Sequence, residues 1–259
     1  MVAKRLFPIF KKMILTSKNN PLIKQTAALK EKKARKEQGV FLVEGRKMSK
    51  ECLASGFEIE RTFLAEDYAG DSSAFENPVW VSGDVFRYLS DEKTPQGVLC
   101  RVKIPKRELC APKASCLFLD GVSDPGNLGA IIRTANAAGY NEIYLTEECA
   151  DPYSPKSVRA SMSGIFFTKL YRAPRTEILS VLEGTPIVVA DMGGENAFSF
   201  RAPQKFALVI GNEGNGVSDE VRVRAAHTVK IPMQATQESL NAAVSAGILM
   251  YLLKKEELI

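Results

Sequence analysis

The chain has 259 residues, 45% hydrophobic and 25% charged, the composition of an ordinary soluble globular protein with length enough for one large domain or two smaller ones. Its longest apolar stretch, AAVSAGILMYLL, is twelve residues against the ~20 that a bilayer requires, which excludes a spanning helix. The net charge of +5 is unevenly placed: residues 1–50 carry 14 Lys and Arg against 3 Asp and Glu, and the other 209 residues carry 21 against 27. A basic end on an acidic body suits contact with a polyanion, or is a solvated lysine-rich helix face. Five cysteines form no C-x-x-C pair, and His227 is the one histidine, too few ligands for a usual Cys/His zinc site. We read the cysteines as reduced thiols of a cytoplasmic protein, His227 as structural, and expect no metal.

Residues 1–12 read as an N-terminal extension before Met13. In NNPLIKQTAALKEKKARKEQG, Asn20 caps a predicted helix, Pro21 takes its first position and Gly39 ends it. Its second half crowds Lys30, Lys32, Lys33, Arg35 and Lys36, the candidate RNA-binding cations if the polyanion is RNA. The buried strand VFLVEG, a helix at about 46–55, a strand near RTFLAE, the strand and helix of VWVSGDVFRYLS and the strand QGVLCRVKI complete a small α/β domain over 13–102. Two prolines and four basic residues without periodicity mark 103–114 as a linker.

From 115 to 259 the α/β rhythm restarts. The strand CLFLDGV leads into DPGNLGAIIRTANAAG, where Asp124-Pro125-Gly126 reads as a turn, Asn127 as a helix cap and Gly139 as the end. Leu128, Ile131, Ile132 and Ala135 form its apolar stripe, which leaves Arg133 on the opposite face. EIYLT, a helix behind Ser154-Pro155, the strands PIVVAD and FALVIG, and a final helix from about Ser239 to Glu257 follow. Leu249, Leu252 and Leu253 of that helix read as core or dimer packing rather than a ligand site. Two glycine-rich turns follow strands, but GNEGNG has the wrong glycine order for a dinucleotide fingerprint, and Glu213 would repel a pyrophosphate. An oxidoreductase using these loops is therefore disfavoured.

Taken together, NLGAIIRTANAAG, ALVIGNEGNGVSDEV and IPM…SLNAAVSAGI resemble the three motifs of the SpoU (TrmH-type) RNA 2′-O-ribose methyltransferases, in that family's order and spacing. The resemblance covers 115–259 closely. Residues 13–102 are similar, more loosely, to the family's L30e-like RNA-binding domain. The resemblance implies an α/β SPOUT catalytic domain with a C-terminal trefoil knot, a homodimer, and S-adenosylmethionine as cofactor. It places Gly211, Ile231, Met233 and Leu240 at the cofactor, and Arg133, Asn127, Glu213, Ser239 and Asn241 in the active site. Arg133 is there either the base or the clamp on a phosphate beside the target ribose, and guanidinium groups resist deprotonation. The implied reaction is methylation of a ribose 2′-hydroxyl, in ribosomal RNA as the leading reading. The alternatives are a tRNA 2′-O-methyltransferase, or a non-catalytic RNA-binding or ribosome-assembly protein on the same fold.

Overall fold

Alternating apolar segments build two sheets, one in each of two compact units, in the computed structural model, which describes residues 13–254. The first unit contains the described residues up to Leu53 together with Glu58–Lys103; the second contains Ala54–Phe57 and the residues from Ile104 on. The extension assigned to 1–12 and the helix end expected near Glu257 lie outside the described residues.

In the first unit, β1 (Ile14–Leu15), β2 (Val40–Glu44), β3 (Ile59–Ala65), β4 (Val79–Val81) and β5 (Val98–Lys103) pair in the order β1-β4-β3-β5-β2. β5 is antiparallel to both neighbours, and its run VLCRV is buried on both faces, which is why it reads as an apolar run with little alternation. Its one charged member, Arg101, donates to Glu60 Oε2 at 2.7 Å, Thr26 Oγ1 at 3.2 Å and Gln38 Oε1 at 3.1 Å, so each of its three nitrogens has an acceptor. Helices α3 (Arg46–Ala54) and α4 (Gly83–Leu89) complete the unit with the two segments of its first helical stretch.

That stretch differs from the single helix expected over 20–39. It forms α1 (Pro21–Ala28) and α2 (Lys32–Gln38), with Asn20 accepting from the Leu22 N–H at 2.9 Å as the cap and Gly39 at the end. Between them the Arg35 guanidinium donates to the carbonyls of Leu29 at 2.8 Å and Lys30 at 2.7 Å, which the break has freed. Arg35 is only 3% exposed, so it is a tie within the fold and leaves the set of RNA-facing cations. Lys30, half-buried, likewise donates to the carbonyls of Tyr88 and Ser90. Lys32, Lys33 and Lys36 are exposed.

The second unit is a six-stranded, wholly parallel sheet: β6 (Cys116–Asp120), β7 (Glu142–Thr146), β8 (Lys169–Ala173), β9 (Ile187–Asn196), β10 (Ala207–Gly211) and β11 (His227–Lys230), in the order β11-β9-β10-β6-β7-β8. Its helices are α5 (Pro125–Ala137), α6 (Pro155–Ser161), α7 (Gly164–Phe167), α8 (Arg175–Val181), α9 (Asp219–Arg222) and α10 (Ala242–Leu253). From β6 the chain moves outward through β7 to β8, then crosses to β9 on the far side of β10. The strand order therefore reverses between β6 and β10, and a parallel sheet binds ligands beyond its strand carboxyl ends at such a point.

The carboxyl end of β6 is pinned by charge. Asp120, buried, accepts from Arg175 Nε at 2.7 Å and from the Ser218 N–H at 2.8 Å, while Arg175 also faces Glu148 and Glu220. Removing one member of a buried pair strands the other charge. Arg175→Ala is therefore expected to cost about 3 kcal/mol and lower the unfolding midpoint of this unit by roughly 6–12 °C in calorimetry. No helix among the described residues is long and apolar enough to cross a membrane.

Candidate functional site

Beside β9, beyond the carboxyl ends of β10 and β11 and one strand away from the reversal, lies a cavity of about 540 Å³, a volume suited to a small-molecule ligand. Three chain segments converge on it: Ala190–Met192 of β9, the end of β10 with the loop that follows it (Ile210–Gly216), and the run from Val229 at β11 into α10. All four expected cofactor residues, Gly211, Ile231, Met233 and Leu240, line it, as do Glu213, Ser239 and Asn241. Leu249 lines it too, as do Asp191, Ala242 and Ser245, three residues that carry no sequence signal for the site. The expectation that Leu249 belongs only to core or dimer packing is thus corrected: buried at 1% exposure, it also forms part of the cavity wall.

Gly211 is required by a close approach. The loop 212–216 folds back through reciprocal hydrogen bonds between the backbones of Asn212 and Gly216, each 2.9 Å. A Cβ on Gly211 would lie 2.2 Å from the Gly216 carbonyl carbon and 2.3 Å from the Val217 nitrogen. Asn212, also missed from sequence, closes this turn by accepting from the Gly214 and Asn215 N–H groups while its amide donates to the Gly121 carbonyl at 2.8 Å.

Helix α5 begins earlier than its sequence suggests. Asp124, not Asn127, is the cap: its Oδ1 accepts from the Asn127 N–H at 2.8 Å, and Pro125 occupies the first helical position. Asp124 is held below the usual carboxylate range first by the Lys156 ammonium, 2.8 Å away, and then by the Asn127 N–H. Freed from capping, the Asn127 side chain bridges two residues of the cavity lining. Asn241 Nδ2 donates to Asn127 Oδ1 at 2.9 Å, and Asn127 Nδ2 donates to Glu213 Oε1 at 2.9 Å. Asn241 Oδ1 meanwhile caps α10 by accepting from Ala243 and Val244, so α10 starts at Ala242 and Ser239 precedes it.

Glu213 accepts four hydrogen bonds: from Ser123 N–H and Oγ, each at 3.0 Å, from Asp124 N–H at 3.2 Å, and from Asn127. Burial pushes its carboxyl up, but these donors, Asn127 foremost, outweigh that and hold it below its ordinary range. A carboxylate whose proton affinity is lowered is a poor base and a good clamp. Its stabilising contribution is complete above the unfolded carboxyl's pKa and is lost as pH falls through the lowered folded value. Glu213→Gln turns an NH₂ group toward donors, and we expect ligand affinity at the cavity to fall about tenfold in a calorimetric titration.

Two groups stay uncommitted. Among the described residues, neither the Ser239 hydroxyl nor the Arg133 guanidinium has a hydrogen-bond or ion-pair partner. Arg133 is exposed and does not line the cavity of its own chain; it lies six residues beyond Asn127 on α5, about 9 Å along the axis. The structure thus brings Asn127, Glu213 and Asn241 together through hydrogen bonds and leaves Arg133 apart from them.

The cavity residues fit S-adenosylmethionine. Ile231, Met233, Leu240 and Leu249 give apolar walls for a flat base, and backbone groups of 211–216 give polar contacts without side-chain bulk. The charged lining is Asp191, Glu213 and Lys230, an acidic balance that suits a cationic ligand better than a pyrophosphate. Asp191 is held ionised first by the Gly193 N–H at 2.8 Å, with Arg222 adding to this against the opposing effect of burial. Among the described residues no group of three or more His, Cys, Asp or Glu side chains is placed to hold a metal ion.

Comparison with known proteins agrees in both units. The model of the SpoU rRNA Methylase family matches residues 114–251, and that of an MRM3-like substrate binding domain matches residues 20–100. The chain is 31% identical to the 23S rRNA (guanosine(2553)-2′-O)-methyltransferase RlmP of Bacillus subtilis, covering 93% of this chain and 98% of the relative. It is 30% identical to the 23S rRNA (uridine(2479)-2′-O)-methyltransferase of Streptomyces viridochromogenes, over 92% of this chain and 90% of the relative. The crystal structure of an AdoMet-bound rRNA methyltransferase from Sinorhizobium meliloti superposes with a TM-score of 0.86 and 27% identity, covering 94% of this chain and 98% of that one. The three motifs and the cavity lined by the second and third lie within the matched region, and the chain belongs to the SpoU rRNA methylase family.

Proposed function

We propose that the protein transfers a methyl group from S-adenosylmethionine to a ribose 2′-hydroxyl of ribosomal RNA in the cytoplasm. The observation that carries this reading is the hydrogen-bonded chain Asn241–Asn127–Glu213, which ties the first family motif to the two that line one acidic, apolar-walled cavity. Relatives named as 23S rRNA 2′-O-methyltransferases over nearly their whole length support the ribosomal substrate. They favour it over tRNA and over a non-catalytic role on the same fold.

S-adenosylmethionine, when bound, supplies a methyl already activated on a positively charged sulfur. The protein's share is alignment of the 2′-oxygen with that methyl, the hydroxyl proton passing to solvent as the oxygen–carbon bond forms and the thioether leaves. Asn127, Glu213 and Asn241 spend their polar atoms on one another and on backbone N–H groups, so they are positioning residues that fix the loops and helix starts. Arg133, unpaired and at the surface, is the group free to touch RNA. It grips the phosphate beside the target ribose and so orients the 2′-oxygen; that role asks less of a guanidinium than acting as base. Ser239 offers its free hydroxyl at the cavity wall.

The finer architecture belongs to the same reading. The convergence on one cavity of β9, the loop after β10 and the run after β11 supports a C-terminal trefoil knot, and the match to a substrate binding domain over 20–100 supports an L30e-like RNA-binding domain. An Arg133 outside its own chain's cavity, with Val244 and Tyr251 exposed seven residues apart on α10, supports a homodimer that completes the site. The test is to map 2′-O-methyl positions in ribosomal RNA from cells with and without the gene. One position disappears if the reading is right; an unchanged map overturns it.

A further inference from the structure

The first unit holds a cavity of its own, about 230 Å³, that none of the catalytic motifs explains. Arg46, Asp67, Tyr68, Arg87 and Gln96 are the polar groups on its wall. Tyr68 is half-buried, and its ring is set by close packing: a Cβ on Gly97 would lie 3.3 Å from Tyr68 Cδ2, and one on Gly70 would lie 2.3 Å from its hydroxyl oxygen. The exposed Arg46 guanidinium lies over the ring, 5.4 Å from its centroid. The Arg46 backbone N–H is held by Gln96 Oε1 at 2.8 Å, which leaves the Gln96 amide NH₂ as a free donor among the described residues.

The charges on the wall argue against a phosphate. Arg87 is paired with Asp84, and Asp67 shares the wall with Arg46, so the net positive field is small. What remains is a flat aromatic and guanidinium surface of one ring's size, with donors from Arg46 and Gln96 and an acceptor in Asp67. Those are the features that recognise a flat, neutral molecule carrying both donors and acceptors on its edge.

We propose that this cavity takes one unpaired nucleobase of the RNA substrate, stacked on the Arg46–Tyr68 pair, with its edge read by Asp67 and Gln96. The inference rests on the reading of the chain as an RNA methyltransferase. It assigns to the first unit a contact with a specific base, distinct from any sequence-independent attraction of phosphates to its exposed lysines.

The test uses the full chain and protein-free total ribosomal RNA as probe, with the RNA KM, kcat and S-adenosylmethionine Kd measured for wild type, Tyr68→Ala, Tyr68→Phe and Arg46→Ala. Ultraviolet crosslinking with peptide mapping locates the stacked residue. Tyr68→Ala and Arg46→Ala are expected to raise the RNA KM about tenfold, with kcat and cofactor Kd unmoved, and Tyr68→Phe to restore the lower KM. The wild-type crosslink should map to Tyr68. If Tyr68→Ala does not fold, the exposed Arg46→Ala and the crosslink decide. Wild-type RNA KM in both alanine variants, or crosslinks that leave Tyr68 unmodified, would overturn the inference while RNA methylation by the wild type left the functional reading intact. A wild type that neither binds nor methylates the RNA overturns both.

Discussion

Arg133→Ala should abolish measurable methyl transfer, with kcat/KM down about 10²–10³-fold, the scale for removing one charged group that aligns or stabilises the reacting centre. Two other quantities should stay put. Arg133 is exposed and outside the cavity, so the dissociation constant for S-adenosylmethionine is expected to match wild type. It has no hydrogen bond or ion pair among the described residues, so the unfolding midpoint should also hold. Arg133→Lys separates the two roles. A lysine keeps the charge but loses the planar fork that grips a phosphate, and its ammonium deprotonates more readily than a guanidinium. If Arg133 is a clamp, the lysine variant stays impaired and its pH–rate profile keeps the wild-type shape. If it is the base, activity returns with a limb shifted to lower pH.

Gly211→Ala should act on the opposite quantity. The added methyl would stand 2.2 Å from the Gly216 carbonyl carbon, and neither atom belongs to a side chain that can rotate away. The loop 212–216 must open, and with it the backbone surface at the cavity. Overpacking of this kind costs about 1–3 kcal/mol, which corresponds to roughly 5–150-fold weaker cofactor binding. Calorimetry would register that loss directly, and saturating cofactor should recover part of kcat. Wild-type affinity in Gly211→Ala would show that the loop does not form the cofactor surface.

Much of this was legible in the chain because it rests on local patterns. Strands β6, β7, β9 and β10 announced themselves as short apolar runs, whereas β8 and β11, each with charged or polar members, did not; the stripe from Leu128 to Ala135 placed Arg133 on the exposed side of α5, where it lies. The cap of that helix was assignable too: Pro125 marks the first helical position, which makes Asp124 the cap, whereas Asn127 is also a favoured capping residue and drew the assignment three places late. Asn212 beside a glycine-rich turn likewise carried an Asx-turn signal.

Other features have no local signal. Arg35 sits within a run of lysines, and only the tertiary break between α1 and α2 supplies the carbonyls that bury it. Asp191 and Leu249 join the cavity wall because β9 and α10 arrive there through the strand order, and pairing across long stretches of chain is not written in periodicity. The family motifs reached the site residues by resemblance, and hydrogen-bond geometry then divided them. Asn127, Glu213 and Asn241 hold one another, while Arg133 and Ser239 remain free to meet a ligand.

The most direct measurement incubates the purified chain with S-adenosylmethionine labelled in its methyl group and protein-free ribosomal RNA, digests the RNA, and separates the nucleosides by mass spectrometry. The label should appear in one 2′-O-methylated nucleoside and vanish with Arg133→Ala. Label on a base, or no transfer by a wild type that binds the cofactor, would contradict the assignment.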